Sequence, residues 1–471
     1  MTHQNLYIDG VWRDTAEHRT ITDKWSQEAL GTVAIAGVDD ARDAVDAAAA
    51  AMEVGLPVHR RAEILATVSR LIADRSEQFA QLITAELGKP ITASRGEVAR
   101  AVLTTQISSE EAKRLPGELV PLDAAAAGAD TIAFTIPVAR GVVAAVTPFN
   151  FPLNLVMHKV GPALAAGCAV VLKPSDHAPL TAGLMVRLFE EAGLPAGWLN
   201  LVTGPPQEIV GAWQADDRVA VVTFTGSSVV GWALKAASPR KLHVLELGSN
   251  TAMVVAADAD IAKAARASVD ASFAGSGQAC VSLQRIYVDR AVADKYVAAL
   301  TSIVDTLPFG DPRLDATVVG PLVTVDASER ILAWIDRATA SGARVVSGGT
   351  AERGLLAPTV LIDVPADNPL VCEEAFGPVV SVIVVDSVAE AVAQVNASAY
   401  GLNSSIYTSD LATTMEYARK AQSGSVLVNM PPSFRTDHMP YGGVKGSGQG
   451  REGVRYAIEE LVQQKLVVLH A

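Results

Sequence analysis

The chain has 471 residues, 49% of them hydrophobic and 19% charged, with a formal net charge of −13. That length gives room for about three domains around a sizeable core, and the balance excludes a disordered chain. The acidic charge excludes nucleic acid and anionic membrane as partners, since both demand clustered Lys and Arg.

In chain order, residues up to about Ala36 read as short strands and turns, with Leu6-Tyr7-Ile8 followed by the turn pair Asp9-Gly10. The segment Met1 to Asp14 lacks the basic start and apolar stretch of a signal peptide. Asp39 is placed to cap an alanine-rich helix, and Ile64, Leu65, Val68, Leu71 and Ile72 keep the helical period in a second. A long helix is predicted from about Arg95 to Lys113, stopping at Pro116-Gly117. Leu119 to Val138 sets an alanine- and glycine-rich turn between strand-like ends, a protruding hairpin.

From Val142 short apolar runs alternate with helices. Val142 to Val146, Ala169 to Leu172, Leu199 to Val202, Ala220 to Phe224 and Val244 to Leu247 read as buried strands. Leu180 to Ala192 reads as a helix stopped by Gly193. Such alternation predicts an α/β fold, a parallel sheet with helices on both faces and ligands beyond the carboxyl ends of its strands. A second α/β unit starts near Asn250, with strands around Met253 to Ala256 and Arg285 to Val288, and runs to about Val428. The tail ends in the strand-like Lys465-Leu-Val-Val-Leu, expected to pair with a neighbouring subunit. No run of about 18 apolar residues marks a membrane helix. The three cysteines, Cys168, Cys280 and Cys372, are far apart, which fits a reducing compartment and a cytoplasmic location.

Cys280 closes the glycine loop Gly275-Ser276-Gly277-Gln278-Ala279, which presents a thiol to a cleft, whereas Cys168 and Cys372 read as ordinary structural residues. Glu246 lies between two leucines at a strand end; burial there raises its pKa and suits it to act as a general base, although a salt bridge or cap explains it equally well. Lys173, with Ser175 and Asp176, follows a strand where ribose hydroxyls or a phosphate bind. Gly226 and Ser227 turn a strand into a helix whose N-terminus suits a pyrophosphate.

Together these segments resemble the successive signatures of the aldehyde dehydrogenase superfamily. Pro148-Phe149-Asn150-Phe151-Pro152, Leu172-Lys173-Pro174-Ser175, Phe224-Thr225-Gly226-Ser227, Glu246-Leu247-Gly248, Gly277-Gln278-Ala279-Cys280, Glu373-Glu374-Ala375-Phe376-Gly377-Pro378 and Pro440-Tyr441-Gly442-Gly443 occur in the family's order. The branch resembled most holds lactaldehyde, non-phosphorylating glyceraldehyde-3-phosphate, phosphonoacetaldehyde and succinate semialdehyde dehydrogenases. The resemblance implies a Rossmann-like cofactor domain (1–117 and 139–248), an α/β catalytic domain (249–448) and a small β oligomerisation element (118–138 and 449–471) in a homodimer or homotetramer. It implies a small aldehyde oxidised with NAD or NADP through a thioester on Cys280. Asn150 then donates to the oxyanion, and Glu246 activates the hydrolytic water. Glu374 holds the nicotinamide ribose with Phe376 beside it, Lys173 binds the adenosine ribose, and Phe149 and Ser227 line the groove. A CoA-acylating relative and a non-catalytic protein of the same fold are the alternatives.

Ser249-Asn250 replaces the family's usual Gly-Lys. Asp176, where many NAD-preferring members have Glu, favours NAD slightly, since a carboxylate repels a 2′-phosphate. Ala279 is not the Arg of the phosphate-binding members, which weakens a phosphorylated substrate. Arg100, His158 and Arg435 fall at positions that line the family's aldehyde pocket. They are expected to converge on an acidic group of the substrate, against a plainer reading in which the arginines pair with acids such as Glu97 and Asp437 and His158 is a core residue. A neutral lactaldehyde-like substrate is the runner-up.

Overall fold

The computed structural model describes residues 2–470. Two large sheets organise it. In the first, parallel strands lie in the spatial order Leu199–Leu201, Val170–Lys173, Val142–Val146, Val219–Thr225 and Leu242–Glu246. The chain lays down the middle strand first, winds to one side, then crosses to the other. Strand order therefore reverses between Val142–Val146 and Val219–Thr225, which opens a crevice at their carboxyl ends. Val142–Val146 is buried along its whole length, as a strand covered on both faces must be. Leu6–Ile8 and Val11–Arg13 add an antiparallel hairpin at one edge, turning at Asp9 and Gly10 with φ of 52° and 74°.

The second sheet has the order Arg344–Ser347, Thr359–Ile362, Val379–Val385, Leu283–Asp289, Thr251–Val255, Asn403–Tyr407 and Ser425–Val428, parallel except for the first strand. After it the chain returns to the first sheet, where Gly448 pairs with Glu246.

The sequence reading places the five parallel strands of the first sheet, and Thr251–Val255 and Leu283–Asp289 of the second, to within a residue or two, and leaves the other five strands of the second sheet unassigned. Two local expectations change. The long helix runs over Ile91–Glu111 and begins directly after Pro90; its buried face is rich in Ser, Thr and Glu97, so the apolar period is faint. The first helix, Val38–Val54, is entered at Gly37, whose N–H donates to the Asp40 carboxylate, and Asp39 is exposed. The tail strand Val462–His470 runs antiparallel to Thr131–Ala139 of the same chain, from Val462 opposite Ala139 to His470 opposite Thr131, and forms the outer edge of that three-stranded sheet. This pairing satisfies the backbone groups on one side of the tail strand. Among the described residues no helix is long and apolar enough to cross a membrane.

Candidate active site

Two cavities meet at Cys280. One, of about 390 Å³, opens on the crevice and is lined by Phe149, Asn150, Ser175, Gly226, Ser227, Glu246, Glu374 and Phe376. The other, of about 300 Å³, is lined by Lys89, Glu97, Arg100, Phe151, Asp270, Ser433, Arg435 and Tyr441.

The loop before Cys280 is built to project it. Gly275, Ser276 and Gly277 all adopt left-handed backbone, with φ of 61°, 61° and 67°. A Cβ on Gly277 would lie 2.3 Å from the Gly377 carbonyl oxygen, so the Cys280 loop and the Glu373–Pro378 segment pack at backbone distance. Ser276 tolerates its strained backbone because its hydroxyl donates to the Gly320 carbonyl at 3.1 Å and accepts the Gly320 N–H at 2.9 Å. The Asn150 amide donates to the Gln278 carbonyl at 2.9 Å, leaving its other N–H for a ligand. Burial pushes the Cys280 thiol up to about 11; Tyr441, whose hydroxyl lies 3.1 Å from Sγ, and Arg435 oppose this, while Glu374 and Glu246 add to it. Cys168 is buried in the first sheet's core and Cys372 is exposed; neither lines these cavities.

Glu246 ends its strand 3% exposed, with both carboxylate oxygens buried and unpartnered. Burial, reinforced by Glu452, raises its pKa far above the ordinary range, and Arg435, Lys159 and Arg451 offset only part of that. A buried carboxylate without a partner is costly, so Glu246 holds its proton to a higher pH than an ordinary glutamate and binds one strongly when ionised. Behind it, Glu452 accepts from Lys159 Nζ at 2.9 Å and Arg435 Nη2 at 3.3 Å, and despite its burial these cations hold it ionised.

The crevice fits a nicotinamide adenine dinucleotide. Ser227 caps the helix Ser228–Ala237, whose first turn stays open, with Val229 83% exposed. Glycine at position 248 lets the Glu374 carboxylate reach the crevice, since a Cβ there would sit 2.7 Å from Oε2. Glu374 accepts the Ser249 N–H at 2.8 Å, and burial pushes it up to about 7. Phe149 and Phe376 stack edge to face, 5.7 Å between centroids. At the far end Lys173 Nζ donates to Asp176 Oδ1 at 2.9 Å. Arg19 lies 3.4 Å from the same oxygen and keeps its Nε buried without a partner.

The three pocket residues do not converge on open space. Arg100 and Arg435 line the second cavity, but His158 does not; its side chain is fully buried and its Nε2 lies 2.9 Å from Asp437 Oδ1. The expectation that His158 contacts substrate is therefore corrected. It is a core residue kept neutral by burial and by Arg435. Arg100 grips Asp437 through Nη2 at 2.7 Å and Nε at 3.2 Å, leaving Nη1 for a ligand. Arg435 stacks its guanidinium 3.6 Å from the centroid of the Tyr441 ring.

Sequence reasoning assigned no role to Tyr441, Glu452, Lys159, Lys89 or Arg19, and named Asp437 only as an acid for the arginines to pair with. Tyr441 lay inside a recognised motif and was the one with a signal. Glu452, Lys159 and Arg19 act through contacts far along the chain, as between Lys159 and Glu452, 293 positions apart.

Residues 12–467 match the model of the aldehyde dehydrogenase family. The 3-sulfolactaldehyde dehydrogenase of Priestia aryabhattai is 42% identical over 99% of this chain and 98% of its own length. A crystal structure of aldehyde dehydrogenase 21 from Physcomitrella patens with the reaction product succinate superposes with a TM-score of 0.96 at 34% identity, covering 99% of this chain and 98% of that one. The NADP-dependent glyceraldehyde-3-phosphate dehydrogenase of Bacillus halodurans C-125, complexed with NADP, gives 0.97 at 32% identity over the whole of both chains.

Proposed function

The chain belongs to the aldehyde dehydrogenase family, NAD(P)-dependent enzymes that oxidise aldehydes to carboxylates, and from that premise we propose that it oxidises a short aldehyde bearing a terminal acid group, with Cys280 as nucleophile and Glu246 as base. The observation that carries this reading is the position of Cys280 at the meeting of the two cavities, with the unpartnered Glu246 carboxyl on one side and cationic side chains on the other.

The Cys280 thiolate adds to the aldehyde carbon, and the carbonyl electrons pass to oxygen. The Asn150 amide and the Cys280 backbone N–H receive that oxyanion, each worth about 3 kcal/mol in the transition state. Glu374, Phe376 and the crevice would hold a nicotinamide, which when bound would accept the hydride lost as the thiohemiacetal becomes a thioester. Glu246 takes a proton from water as it attacks the thioester carbon; the carboxylate departs and the thiol is restored. An unpartnered carboxyl suits water activation, so hydrolysis is favoured over transfer to CoA. Carboxylate should form at full rate without CoA, whereas dependence on CoA would select the acylating alternative.

For the substrate, Lys89, Arg100 and Arg435 all line the second cavity. Each has an acidic partner, Glu97, Asp437 and Glu452, but Glu452 is shared with Lys159 and Arg100 keeps Nη1 free, so the guanidinium of Arg100 can still meet an anionic group. The names of a sulfonated-aldehyde relative and a succinate-bound neighbour support an acidic substrate. Arg100→Lys keeps the charge beside Asp437 but loses the guanidinium fork. It should raise KM for an acidic aldehyde about tenfold (~1.5 kcal/mol for a charge-assisted bond) and leave a neutral one of equal length unchanged. Steady-state kinetics of wild type and variant on both aldehydes check this. Better turnover of neutral aldehydes by the wild type, with both KM values moving alike, would sink the acidic-substrate reading.

Both cofactors are accommodated, since Asp176 is flanked by Lys173 and Arg19, and we expect NAD+ to bind at least as well as NADP+. Asp176→Ser removes the carboxylate from the 2′ position and should tighten NADP+ relative to NAD+ by about tenfold. Fluorescence titration of each cofactor measures this, and a wild type that strongly prefers NADP+ would contradict it.

A further inference from the structure

Tyr441 and Arg435 form a unit beside the reactive sulfur. Tyr441 is 2% exposed, its hydroxyl lies 3.1 Å from Cys280 Sγ, and that sulfur is its hydrogen-bond partner. Arg435 covers the opposite side of the unit, its guanidinium carbon 3.6 Å from the ring centroid. A cation over the face of a phenol draws electron density from the ring and makes the O–H a stronger donor. Arg435 is fixed by Glu452 at 3.3 Å and backed by His158 Nε2 at 3.4 Å.

From this geometry we infer that Tyr441 is a catalytic residue that donates its O–H to the Cys280 thiolate, with Arg435 as the positioning residue that orients and polarises the phenol. The hydroxyl keeps its proton throughout, and the bond weakens once sulfur shares its charge with the carbonyl carbon. This rests on Cys280 being the nucleophile.

The charges facing the pair agree. Glu246 and Glu374 oppose a thiolate, and Glu246 opposes it less while it is protonated. Burial and the neighbouring thiol keep Tyr441 in its protonated, donating form. Arg435 stays cationic between Tyr441, Glu452 and Asp437, and His158 behind it is neutral. Lys159 shares Glu452, so Arg435 is not fully neutralised and part of its charge remains for the sulfur. Donation to the thiolate also lowers its intrinsic nucleophilicity, by about threefold for each pH unit of lowered pKa, against a tenfold gain in thiolate below that pKa. The gain wins at neutral pH.

The test is alkylation of Cys280 by iodoacetamide as a function of pH, in the full chain carrying Cys372→Ser so that no exposed thiol competes. It needs neither aldehyde nor cofactor and so reads the thiol even if the proposed reaction were wrong. Tyr441→Phe should move the profile upward by about 1–2 pH units. Alkylation should be roughly 3- to 10-fold slower at pH 7 and by a similar factor at every assayed pH below the thiol's own pKa. Arg435→Lys keeps the charge, loses the planar stack and should give a smaller upward shift. An unmoved profile in a Tyr441→Phe variant with wild-type circular dichroism overturns the inference. So does a shift in Arg435→Lys with none in Tyr441→Phe, which would assign the effect to charge alone.

Discussion

Cys280→Ser is expected to lower kcat by roughly 10⁴-fold or more, the loss usual when a covalent nucleophile is removed. A serine hydroxyl at this position is far less ionised than a thiol. The backbone that shapes the loop is set by Gly275, Ser276 and Gly277, whose contacts with Gly320 and Gly377 do not involve the sulfur. The variant should therefore fold, and it should bind NAD+ and NADP+ with affinities within about twofold of wild type. Cys168→Ser should retain turnover and lose at most about 1–2 kcal/mol of stability, because a hydroxyl can take the place of the thiol that faces the Leu461 carbonyl at 3.6 Å. Cys372→Ser, on the surface, should behave as wild type. Initial rates with each cofactor, thermal melts and cofactor titrations on the three variants settle the matter. Substantial aldehyde oxidation by Cys280→Ser would remove the covalent mechanism.

Much of this site was legible because its pieces are local. A glycine loop, a carboxylate at a strand end and a lysine following a strand are visible in a few consecutive residues, and the parallel sheet shows in its apolar runs. What stayed hidden was decided by distance along the chain. Arg100 meets Asp437 across 337 positions, and Tyr441 meets Cys280 across 161. Glu97 looked like a partner for Arg100, three residues away. In the fold it instead accepts from Lys89 at 2.7 Å and from the Leu153 and Asn154 N–H groups, which turns it toward the helix that follows Asn150. His158 has the residue type of a ligand-binding group, and only the placement of Asp437 against its Nε2 makes it structural. The tail strand was recognisable from its composition, but an edge strand does not specify which edge it meets.

Glu246→Gln should separate the two halves of the reaction. The amide matches the carboxyl in shape, and because the native oxygens have no hydrogen-bond partners, the exchange breaks no hydrogen bond within the protein. Acylation relies on Cys280, Tyr441 and Asn150, so the first turnover should proceed, giving a burst of about one reduced cofactor per active site. Deacylation needs a group that accepts a proton from water, which an amide cannot do, and steady-state turnover should fall by roughly 10²–10⁴-fold. The acidity of Glu246 sets the pH dependence. Burial and Glu452 raise its pKa, so the carboxylate forms at a higher pH than in an ordinary glutamate. Because the base acts when ionised, wild-type deacylation should accelerate as pH rises through that raised value and level off above it. The glutamine variant should show no such rise apart from direct attack by hydroxide. Rapid-quench measurement of the burst, with mass spectrometry of the peptide carrying acylated Cys280, distinguishes the outcomes. Unchanged turnover in the variant, or loss of the burst together with turnover in a folded protein, would take the water-activating role away from Glu246.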